Sequence, residues 1–501
     1  MASAPHPSTV DLSLLQGRVE KLTSLLEIAK AMTRERDLDA LLGLILDAAA
    51  KVVHADRASL WIVDRAQQEL WTRVVQGMGS KRLRIPITKG IAGWVAQTGQ
   101  VVNIVNAYAD ARFNKQVDRE SGYRTRNILA VPMRFHDEAP TGVIQALNKL
   151  SGGAFDAEDE EILSALGANA AAAVQNAMLY EEIDRLFEGF VHASVTAIES
   201  RDPTTSGHSE RVAVLTLGLA EQMERVERGP YAGVRFSRDE LREIRYAALL
   251  HDFGKVGVRE NVLIKERKLY DDEMAIIVSR FAVLRAQREN AHLRRAIDAL
   301  RAGLPEPEAA STLAEELREI DGLLAFVKVC NQPTVLPSGG FEKLQDVARL
   351  TYHDHGGGTA TVLSPRELER LSIARGSLDA RERTEIESHV THTFRFLSQI
   401  PWTQGLRGVP DIAHAHHEKL DGTGYPRKLV GDAIAPQPRM MAIADIYDAL
   451  TARDRPYKPA VPHERAMDIL ASEAKGGKID ADLLEIFREA AIYRLVQQTP
   501  P

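Results

Sequence analysis

Apolar residues recur along this chain with two different periods. From Leu14 to Val53 they return every three or four residues, the period of an amphipathic helix, and this predicts two helices. Between residues 58 and 147 apolar and polar side chains alternate, as in strands that bury one face. Residues 1–12, rich in Ala, Ser and Pro, are predicted to be a loose tail. We predict one antiparallel sheet with helices packed against it, whose strands are 58–63, 70–75, 83–87, 101–105, 128–133 and 142–147.

The helical period returns at Asp156, where an aspartate followed three residues later by Asp159 is typical of a helix start. It continues without a closing glycine over 157–199, which corresponds to roughly 60 Å of helix. A helix of this length is normally paired with another helix. We therefore expect a connecting helix that also forms the seam of a homodimer, and the alternative is a bent helix within a bundle.

Composition limits the classes of protein to which the chain can belong. Its 501 residues are enough for two or three domains, and 44% hydrophobic with 27% charged residues is ordinary for a soluble protein. A net charge of −7 argues against general nucleic-acid binding, so an anionic substrate would be met by locally placed Lys and Arg. The single cysteine, Cys330, excludes an internal disulfide framework. With no apolar run of about 18 residues and no signal sequence, we expect a cytoplasmic protein without a membrane span.

The stretch 416–426 concentrates ligand-type side chains, with two histidines, two carboxylates and two glycines in eleven residues. Successive side chains on a helix point about 100° apart, so His416 and His417 at a helix end would offer one nitrogen to each of two neighbouring ions. The Asp-Gly-x-Gly sequence that begins at Asp421 predicts a tight turn, and Pro426 stops any helix. This turn would bring Tyr425 close to the metals.

Other candidate ligands interrupt apolar segments. A helix that starts at a capping box on Ser237 runs through apolar residues directly into His251-Asp252, and Asp445 lies in an otherwise apolar helix. A buried acid without a partner is strongly unfavourable, so a bound cation is the simplest explanation. Further candidates are one histidine at a helix start, one histidine on a capped helix, and nearby basic residues: His208, His389, Lys255, Arg453, Arg455 and Lys458.

In this order these residues resemble the HD-GYP domains, a branch of the HD-domain metal phosphohydrolases, over residues 190–265 and 375–490. The resemblance implies an all-helical fold that hydrolyses cyclic di-GMP to pGpG and in some members to GMP. It implies that Asp252 bridges the metals and that Asp252 and Lys255 are catalytic. The implied metal ligands are His208, His251, Asp252, His389, His416, His417 and Asp445. The implied substrate-binding residues are Lys255, Asp421, Gly424, Tyr425, Pro426, Arg455 and Lys458.

The chain departs from the HD-GYP pattern in two ways. Members that hold a third metal carry a glutamate four residues before the first ligand histidine, where this chain has Thr204, so we predict two metals. His251 and His389 lie 138 positions apart, which indicates an insertion over 266–375 within a catalytic domain of 190–490. Imidazole and carboxylate ligands without thiolate suit iron, manganese, nickel or zinc, and the resemblance favours iron or manganese.

We predict that the insertion is a helical hairpin, 270–302 and 308–329, broken at Pro305 and Pro307. Its basic stretch 285–295 is expected to project into solvent or to pair with a dimer mate. The following segment, including His353-Asp354-His355, is predicted to be an ordinary polar loop, because no helix supports a metal site there. Capping boxes at Ser364 and Asp379 predict the helices that return to the main domain.

Residues 13–177 resemble a GAF domain, a small-molecule-sensing module with an antiparallel sheet and flanking helices. The residues that carry this likeness to GAF domains of the cyclic-nucleotide-binding kind are Asn148, Lys149, Phe155, Asp159 and Glu160. The resemblance implies an unknown small-molecule ligand, which a cyclic mononucleotide would satisfy. Lys149 at a strand end and Asp159 on the next helix are expected to form an ion pair that locks the lid region, and a purely structural pair is the alternative.

The resulting prediction is a multidomain α+β protein with a GAF domain, a long connecting helix and a C-terminal all-α HD-GYP domain. The predicted activity is two-metal hydrolysis of cyclic di-GMP regulated by the GAF domain, because two ions would activate water and offset charge on the phosphate. One alternative is a cyclic di-GMP sensor that does not hydrolyse its ligand. A second alternative is a hydrolase of a mixed cyclic dinucleotide such as cyclic GMP-AMP.

Overall fold

The computed structural model describes residues 9–72, 83–134, 138–202, 206–303, 309–333, 335–336, 339–452 and 460–497. The chain forms two compact units, residues 1–188 and residues 189–501. The first unit contains a sheet with helices on both faces, and the second is mainly helical. The predicted fold class is confirmed.

The six predicted strands of the first unit are confirmed, with boundaries shifted by a few residues. They form one antiparallel sheet of order β3-β2-β1-β6-β5-β4, in which the two longest strands pair through Ser59 and Gln145. Residues 73–75 of the second predicted strand lie outside the described residues. The strands are β1 (Ala55–Asp64), β2 (Glu69–Thr72), β3 (Leu83–Pro86), β4 (Val102–Ile104), β5 (Ile128–Met133) and β6 (Gly142–Lys149).

Helices cover both faces of this sheet, which is why every residue of β5 is buried. Leu129 and Val131 face one core, and Ile128 and Ala130 face the other. The helices of the unit are α1 (Thr9–Arg34), α2 (Leu38–Val52), α3 (Gly90–Thr98) and α4 (Lys115–Ser121). The predicted tail over 1–12 is wrong for residues 9–12, which already belong to α1 because its helical hydrogen bonding extends past the apolar stripe.

The connecting helix α5 (Ala157–Arg201) begins and ends within two residues of its prediction. At its start, Lys149 forms ion pairs with Asp159, as predicted, and also with Asp156 at 2.8 Å. An 18-residue window of α5 is apolar enough to meet the length and composition test for a membrane span, and 44% of that window is buried inside the protein. Leu163 and Leu166 of this helix pack in the core of the first unit.

The second unit consists of helices with one short hairpin. Those that carry the candidate site are α6 (His208–Met223), α7 (Arg238–Leu250), α13 (Ala380–Leu397), α14 (Val409–His414) and α15 (Pro436–Thr451). The capping boxes predicted at Ser237, Ser364 and Asp379 are all present. The remaining elements are α8 (Glu260–Leu263), α9 (Asp271–Arg301), α10 (Ala309–Cys330), α11 (Gly340–Arg349), β7 (Thr351–His353), β8 (Thr359–Thr361), α12 (Pro365–Leu371), α16 (His463–Lys475), α17 (Ala481–Glu489) and α18 (Arg494–Gln497).

The insertion is a packed body rather than a hairpin followed by a loop. Helices α9 and α10 confirm the predicted hairpin, but residues from α11 and α12 share a core with them, which includes Phe281, Val327 and Leu344. His353 and His355 lie on or beside the two-stranded β7-β8 hairpin and are exposed, so the predicted loop is partly regular. The basic stretch 285–295 is mostly exposed, as predicted for a solvent-facing segment.

Buried ion pairs join the insertion to α13. Arg370 is 3% exposed and binds Glu273 at 2.7 Å and both Asp379 and Glu382 at 3.2 Å. Glu382 also binds Lys265 at 2.6 Å. Because each of these charges has a partner of opposite sign, the network can lie in the interior at the root of the insertion without an isolated charge.

Candidate metal centre

His251 and Asp252 lie where α7 ends, as the sequence predicted. The chain continues as a 3-10 helix, Phe253–Gly257, which carries Lys255. Gly254 permits this turn to contact α13, because a Cβ atom there would lie 1.9 Å from the carbonyl oxygen of His389. Thr393 completes the contact: its Oγ1 donates to the carbonyl of His251 at 2.9 Å and accepts from the Gly254 amide at 2.8 Å.

Three buried histidines have the same orientation. The Nδ1 atoms of His251, His389 and His416 lie 2.7, 2.5 and 2.6 Å from the carbonyl oxygen three residues earlier. A carbonyl only accepts, so each Nδ1 carries the proton and each Nε2 keeps a free lone pair. All three Nε2 atoms are buried and make no hydrogen bond to any described residue. Orphaned imidazole nitrogens that converge in a protein interior fit a bound metal ion.

His208 is oriented by a side chain instead. It is the first residue of α6, and its Nδ1 lies 2.8 Å from Oδ2 of Asp448. Arg211 holds the same carboxylate through bonds of 2.7 and 3.1 Å, so the buried acid has a counter-charge. The Nε2 of His208 then points to the acids of the centre, 3.2 Å from Asp445 and 3.8 Å from Asp252.

The candidate ligands form two trios with Asp252 between them. The members of each trio bring their ligand atoms within 4.8 Å of one another. Oδ1 of Asp252 lies 3.2 Å from Nε2 of His389, and its Oδ2 lies 3.4 Å from Nε2 of His251. One carboxylate oxygen therefore faces each trio, and the residues present could hold divalent metal ions. The trios are His389, His416, His417 and His208, His251, Asp445.

His416 and His417 both belong to the first trio, so the structure does not divide them between two sites as expected. The helix α14 ends at His414, and the pair lies in the turn that follows. The 100° rule for successive helical residues therefore does not apply, and the two rings lie only 4.0 Å apart. His416 also groups with His251 and Asp252, so it lies nearest to the middle of the cluster.

Burial and charge set the protonation states of these candidate ligands. Burial lowers the pKa of His417 to about 4 and lowers that of His416 well below its usual value, so both are neutral at pH 7. Burial alone would raise the pKa of Asp252, but Lys255 and His251 outweigh it and hold the pKa low. Burial would likewise lower the pKa of His208, yet Asp445 and Asp448 raise it to about 9. A metal ion would displace that proton.

Lys255 lies at the centre although the helix does not continue to it. Its Nζ is 2.8 Å from Oδ2 of Asp252 and 3.3 Å from Oδ2 of Asp202, and its side chain is 16% exposed. Burial opposes the charge of Lys255, but these two acids outweigh it and raise the pKa of its ammonium. The side chain therefore presents a fixed positive charge beside the metal-binding carboxylate.

The loop after His417 packs against that histidine. Glu418 is buried and accepts the amides of Arg427 and Leu429 at 2.6 and 2.9 Å, which fixes the loop. Gly424 is required there, because its Cβ would lie 2.3 Å from the Lys419 amide. Tyr425 lies with its ring 4.8 Å from that of His417, and burial raises the pKa of its hydroxyl. Tyr425 therefore lies beside one of the candidate ligands, and its approach to bound metals stays a prediction.

Other predicted site residues have different positions. Asp421 lies in the exposed part of the loop, where its carboxylate accepts from the amide and hydroxyl of Thr423 at 2.9 and 2.6 Å. Pro426 follows Tyr425 in the same loop. Four residues lie outside the described part of the chain, and their roles remain predictions: Thr204, Arg453, Arg455 and Lys458.

Sequence reasoning missed the residues that support the ligands. Asp448 is three residues after Asp445 on α15, so helical spacing could have placed both acids on one side. Glu418 stands inside the His-His segment and could have been recognised as a loop anchor. Asp202 and Thr393 gave no such signal, because their contacts join segments that are 53 and 142 positions apart.

The first unit contains a cavity of about 330 Å³ on the sheet face opposite α5. Its floor includes a polar pair, in which the hydroxyl of Ser59 donates to Oε1 of Gln145 at 3.1 Å. Asn148 holds one wall: its amide donates to the Tyr123 hydroxyl at 2.8 Å and to the Arg124 carbonyl at 2.9 Å. Other lining residues are Arg57, Trp61, Lys89, Phe113, Asn114 and Asp118.

The GAF-motif residues thus lie at the junction of cavity and connecting helix. Asn148 has φ of +61° and orders the cavity wall, and Lys149 binds the acids at the start of α5. Phe155 belongs to the hydrophobic core, and the Glu160 amide donates to the Asp156 carbonyl in the first turn of the helix.

Comparison with known families identifies both units. A GAF-domain model matches residues 37–174, and two HD-domain models match residues 205–329 and 342–483. The chain therefore contains a GAF domain followed by an HD-domain region, and the gap between the two HD matches falls inside the insertion. The GYP-bearing subtype is not distinguished by these matches.

The chain is similar to cyclic-nucleotide phosphodiesterases over about a third of its length. It is 36% identical to the probable 3′,5′-cyclic phosphodiesterase pde-5 of Caenorhabditis elegans over 174 residues, 32% of this chain and 24% of that protein. It is 34% identical to the dual 3′,5′-cyclic-AMP and -GMP phosphodiesterase 11A of Takifugu rubripes over 197 residues, 36% of this chain and 22% of that protein. The chain thus spans about a quarter of the length of these relatives.

Similar solved structures each cover about a third of this chain. The GAF domain of a phosphoenolpyruvate-protein phosphotransferase from Coxiella burnetii is 22% identical, with 32% of this chain and 96% of that chain covered and a TM-score of 0.30. The free methionine-R-sulfoxide reductase of Neisseria meningitidis is 19% identical, with 36% and 99% covered and a TM-score of 0.27.

Proposed function

We propose that this protein is a metal-dependent phosphodiesterase of the HD-GYP kind that hydrolyses cyclic di-GMP to pGpG under the control of its GAF domain. The observation that carries the proposal is the buried cluster of five histidines and two aspartates, in which three Nε2 atoms make no hydrogen bond to a described residue. An HD-domain match over the same region supports a phosphohydrolase. Hydrolysis of pGpG to GMP is a further step that the same site would perform.

Two divalent ions fit the donor set. Each trio supplies three nitrogen or oxygen atoms, and Asp252 directs one oxygen to each trio, which supports a carboxylate shared by two ions. The set contains imidazoles and carboxylates and no thiolate, and we propose iron or manganese as the resident metal. When bound, the ions activate water and offset charge on the phosphate oxygens.

The protein's own residues bind and orient the substrate. Lys255 holds a positive charge beside Asp252, where it would contact a non-bridging phosphate oxygen and stabilise the charge that develops there. The loop that contains Gly424 and Tyr425 packs against His417 and would exclude water from one side of the substrate. Arg455 and Lys458 are proposed to contact phosphate or guanine.

Product analysis tests the activity. The full-length protein is loaded with Mn²⁺ or Fe²⁺ under reducing conditions, incubated with cyclic di-GMP, and its products are separated by chromatography. We expect pGpG from the wild type and none from Asp252→Asn, and elemental analysis should find about two metal ions per chain in the wild type and fewer in Asp252→Asn. Asp346→Asn is the matched control, because this exposed acid pairs only with Arg349 among described residues and lies on the insertion.

The same chromatogram separates the competing functions. Cyclic GMP-AMP tests the mixed dinucleotide, and cyclic AMP and cyclic GMP are included because the relatives are named for 3′,5′-cyclic nucleotides. If one of these compounds is hydrolysed faster than cyclic di-GMP, it becomes the proposed substrate in place of cyclic di-GMP. Bound cyclic di-GMP without any pGpG would contradict hydrolysis and identify the protein as a sensor.

We propose that the GAF cavity binds a small polar ligand such as a cyclic mononucleotide. Its volume of about 330 Å³ is within the range of ligand sites, and the Ser59–Gln145 pair places polar atoms on its floor. Calorimetry with cyclic AMP and cyclic GMP tests the proposal. Gln145→Leu should abolish the binding heat, whereas Gln97→Leu on the exposed side of α3 should preserve it; no heat with the wild type at millimolar ligand would exclude both nucleotides.

We also propose that α5 forms a homodimer seam. Leu179, Ile183, Leu186 and Phe190 are 42–75% exposed and follow one another at spacings of four, three and four residues, which is the pattern of a coiled coil. A second copy of the same helix is the occupant that such a repeat fits. Light scattering should show a dimer for the wild type and a monomer for Leu186→Asp, while Leu150→Asp, at an exposed residue outside this repeat, should stay dimeric.

A further inference from the structure

The last turn of the connecting helix lies directly against the candidate centre. Within the second unit, Val191, Val195 and Ile198 of α5 are buried, and the Asp202 amide continues the helical bonding to the carbonyl of Ile198 at 3.0 Å. The end of the helix is therefore fixed by burial. Asp202 itself is only 3% exposed.

Two adjacent residues there hold the segment that carries Lys255. Asp202 binds the Lys255 ammonium at 3.3 Å. The Arg201 guanidinium donates to the carbonyl of Val256 at 2.6 Å and to that of Val258 at 2.9 Å. The side chain and the following backbone of Lys255 are thus both held by one turn of α5.

We propose that Asp202 and Arg201 are positioning residues for Lys255, and that the end of the connecting helix sets the activity of the HD centre through them. The inference rests on the proposed phosphodiesterase function, since it assigns to Lys255 the phosphate contact. It adds a role for two residues outside the set of candidate metal ligands.

Electrostatics explains why Lys255 needs Asp202. Asp252 is 2.8 Å from the ammonium, but it is also a candidate metal ligand, and a bound cation would share its charge. Such a cation would also repel the ammonium. Asp202 is the remaining acid described within contact of Lys255, and its burial makes the attraction stronger than that of a surface pair. Without Asp202 the ammonium would move away from the phosphate.

Arg201 would act on the same group by a different route. Its two bonds fix the carbonyls that follow Lys255, so a rotation or a shift of α5 moves the Lys255 backbone together with Asp202. A displacement of about 1 Å at a reacting centre can lower turnover by about 100-fold. Movement of the helix end would therefore change catalysis without removing a ligand.

A double-mutant cycle tests the proposal. Asp202→Asn, Lys255→Ala and the double variant are made in the full-length protein, together with Glu385→Gln as a control that breaks an ion pair between α13 and Arg259, just after the Lys255 segment. Turnover is measured with cyclic di-GMP and with bis(p-nitrophenyl) phosphate, and metal content is measured in every variant. Arg201→Gln provides a variant at an exposed residue that is not expected to unfold the protein.

We expect Asp202→Asn to lower kcat by about 10- to 100-fold with metal content unchanged, and to cause no further loss in the Lys255→Ala background. Arg201→Gln should lower kcat in the same direction, and Glu385→Gln should not. Equal losses from Asp202→Asn in both backgrounds would overturn the proposal, because Asp202 would then act independently of Lys255. An unchanged kcat in the wild-type background would also overturn it.

A binding measurement separates this inference from the proposed function. If the metal-loaded wild type hydrolyses neither diester, the proposed function fails. The Kd of inorganic phosphate, measured by calorimetry for each protein of the double-mutant cycle, then replaces kcat as the quantity compared. Asp202→Asn should then weaken phosphate binding only when Lys255 is present. A change of the same size with and without Lys255 would refute the positioning role whatever the substrate is.

Discussion

Replacing Asp448 with asparagine should weaken metal binding without removing a metal ligand. Asp448 is 2% exposed and lies 2.8 Å from Nδ1 of His208, and it receives two bonds from Arg211. The other oriented histidines rest on backbone carbonyls, which no side-chain substitution can remove. His208 therefore has the one orienting contact in this described group that mutation can test. Asparagine has nearly the same shape, so the change concerns charge rather than volume.

The size of the effect follows from the bonds that are lost. An asparagine oxygen can replace only one of the two carboxylate oxygens, and its NH₂ group then opposes a donor of Arg211 or His208. Hydrogen bonds to charged groups contribute about 1.5–3 kcal/mol each. Partners that orient metal-bound histidines typically change metal affinity by about 10- to 100-fold, which is about 1.4–2.8 kcal/mol. We expect the Kd for Mn²⁺ to rise by this factor.

Titration of the metal-free protein with Mn²⁺, followed by the electron paramagnetic resonance of free Mn²⁺, measures the change. Asp432→Asn is the matched control, because this acid also pairs with an arginine, Arg439 at 3.2 Å, but is fully exposed. It should leave the Kd unchanged. If Asp448→Asn retained wild-type affinity with an unaltered circular dichroism spectrum, His208 would not be a ligand oriented by Asp448. Equal weakening in the control would indicate a general charge effect.

Two further substitutions test the contact of Gly254 with α13 and the buried ion pair between Glu382 and Lys265. Gly254→Ala places a Cβ 1.9 Å from a backbone oxygen of α13, so the free energy of unfolding should fall by about 3 kcal/mol or more in thermal unfolding, together with the metal content. Gly43→Ala is the control, because no atom lies within 4 Å of its Cβ, and it should be neutral or stabilising. Burial alone would raise the pKa of Glu382, but the bond from Lys265 outweighs it and lowers the pKa below the ordinary value of 4.5. The carboxylate therefore stabilises the fold fully above pH 4.5, and this stabilisation is lost as the pH falls through the lowered pKa. Glu382→Gln should therefore cost roughly 3 kcal/mol in urea unfolding at pH 7, with a smaller difference from wild type below pH 4.5; a difference independent of pH would contradict the ion pair.

The fold of the first unit could be predicted because its sheet imposes a period of two on the sequence. Alternate residues of β5 face separate cores, and each predicted strand overlaps an observed one. The insertion was predicted less well. Helix α11 has a strong apolar stripe, yet the prolines and glycines before Gly340 suggested a loop. Its partners Phe281 and Val327 are distant in sequence, so only the folded chain shows the shared core.

The candidate ligands could be predicted from the sequence for a physical reason that also explains why their supporting residues were missed. Asp252 and Asp445 interrupt apolar segments, and an unpaired polar group in such a place is costly unless something binds it. Asp202 and Thr393 do not stand out in this way, because each is satisfied by a partner that sequence spacing does not reveal. Residues that conflict with the local pattern were therefore found, and residues that resolve the conflict were not.

The conflict between polar side chains and a buried position is concentrated at the candidate metal centre. Three buried Nε2 atoms make no hydrogen bond to a described residue, and each such group costs about 1–3 kcal/mol. The fold places them together only because α7, α13 and the turn after α14 are fixed by contacts elsewhere, including the bonds of Thr393 to His251 and Gly254. The scaffold thus keeps the imidazoles aimed at one another despite the cost. A metal ion relieves that cost, so binding should stabilise the second unit as well as equip it for catalysis.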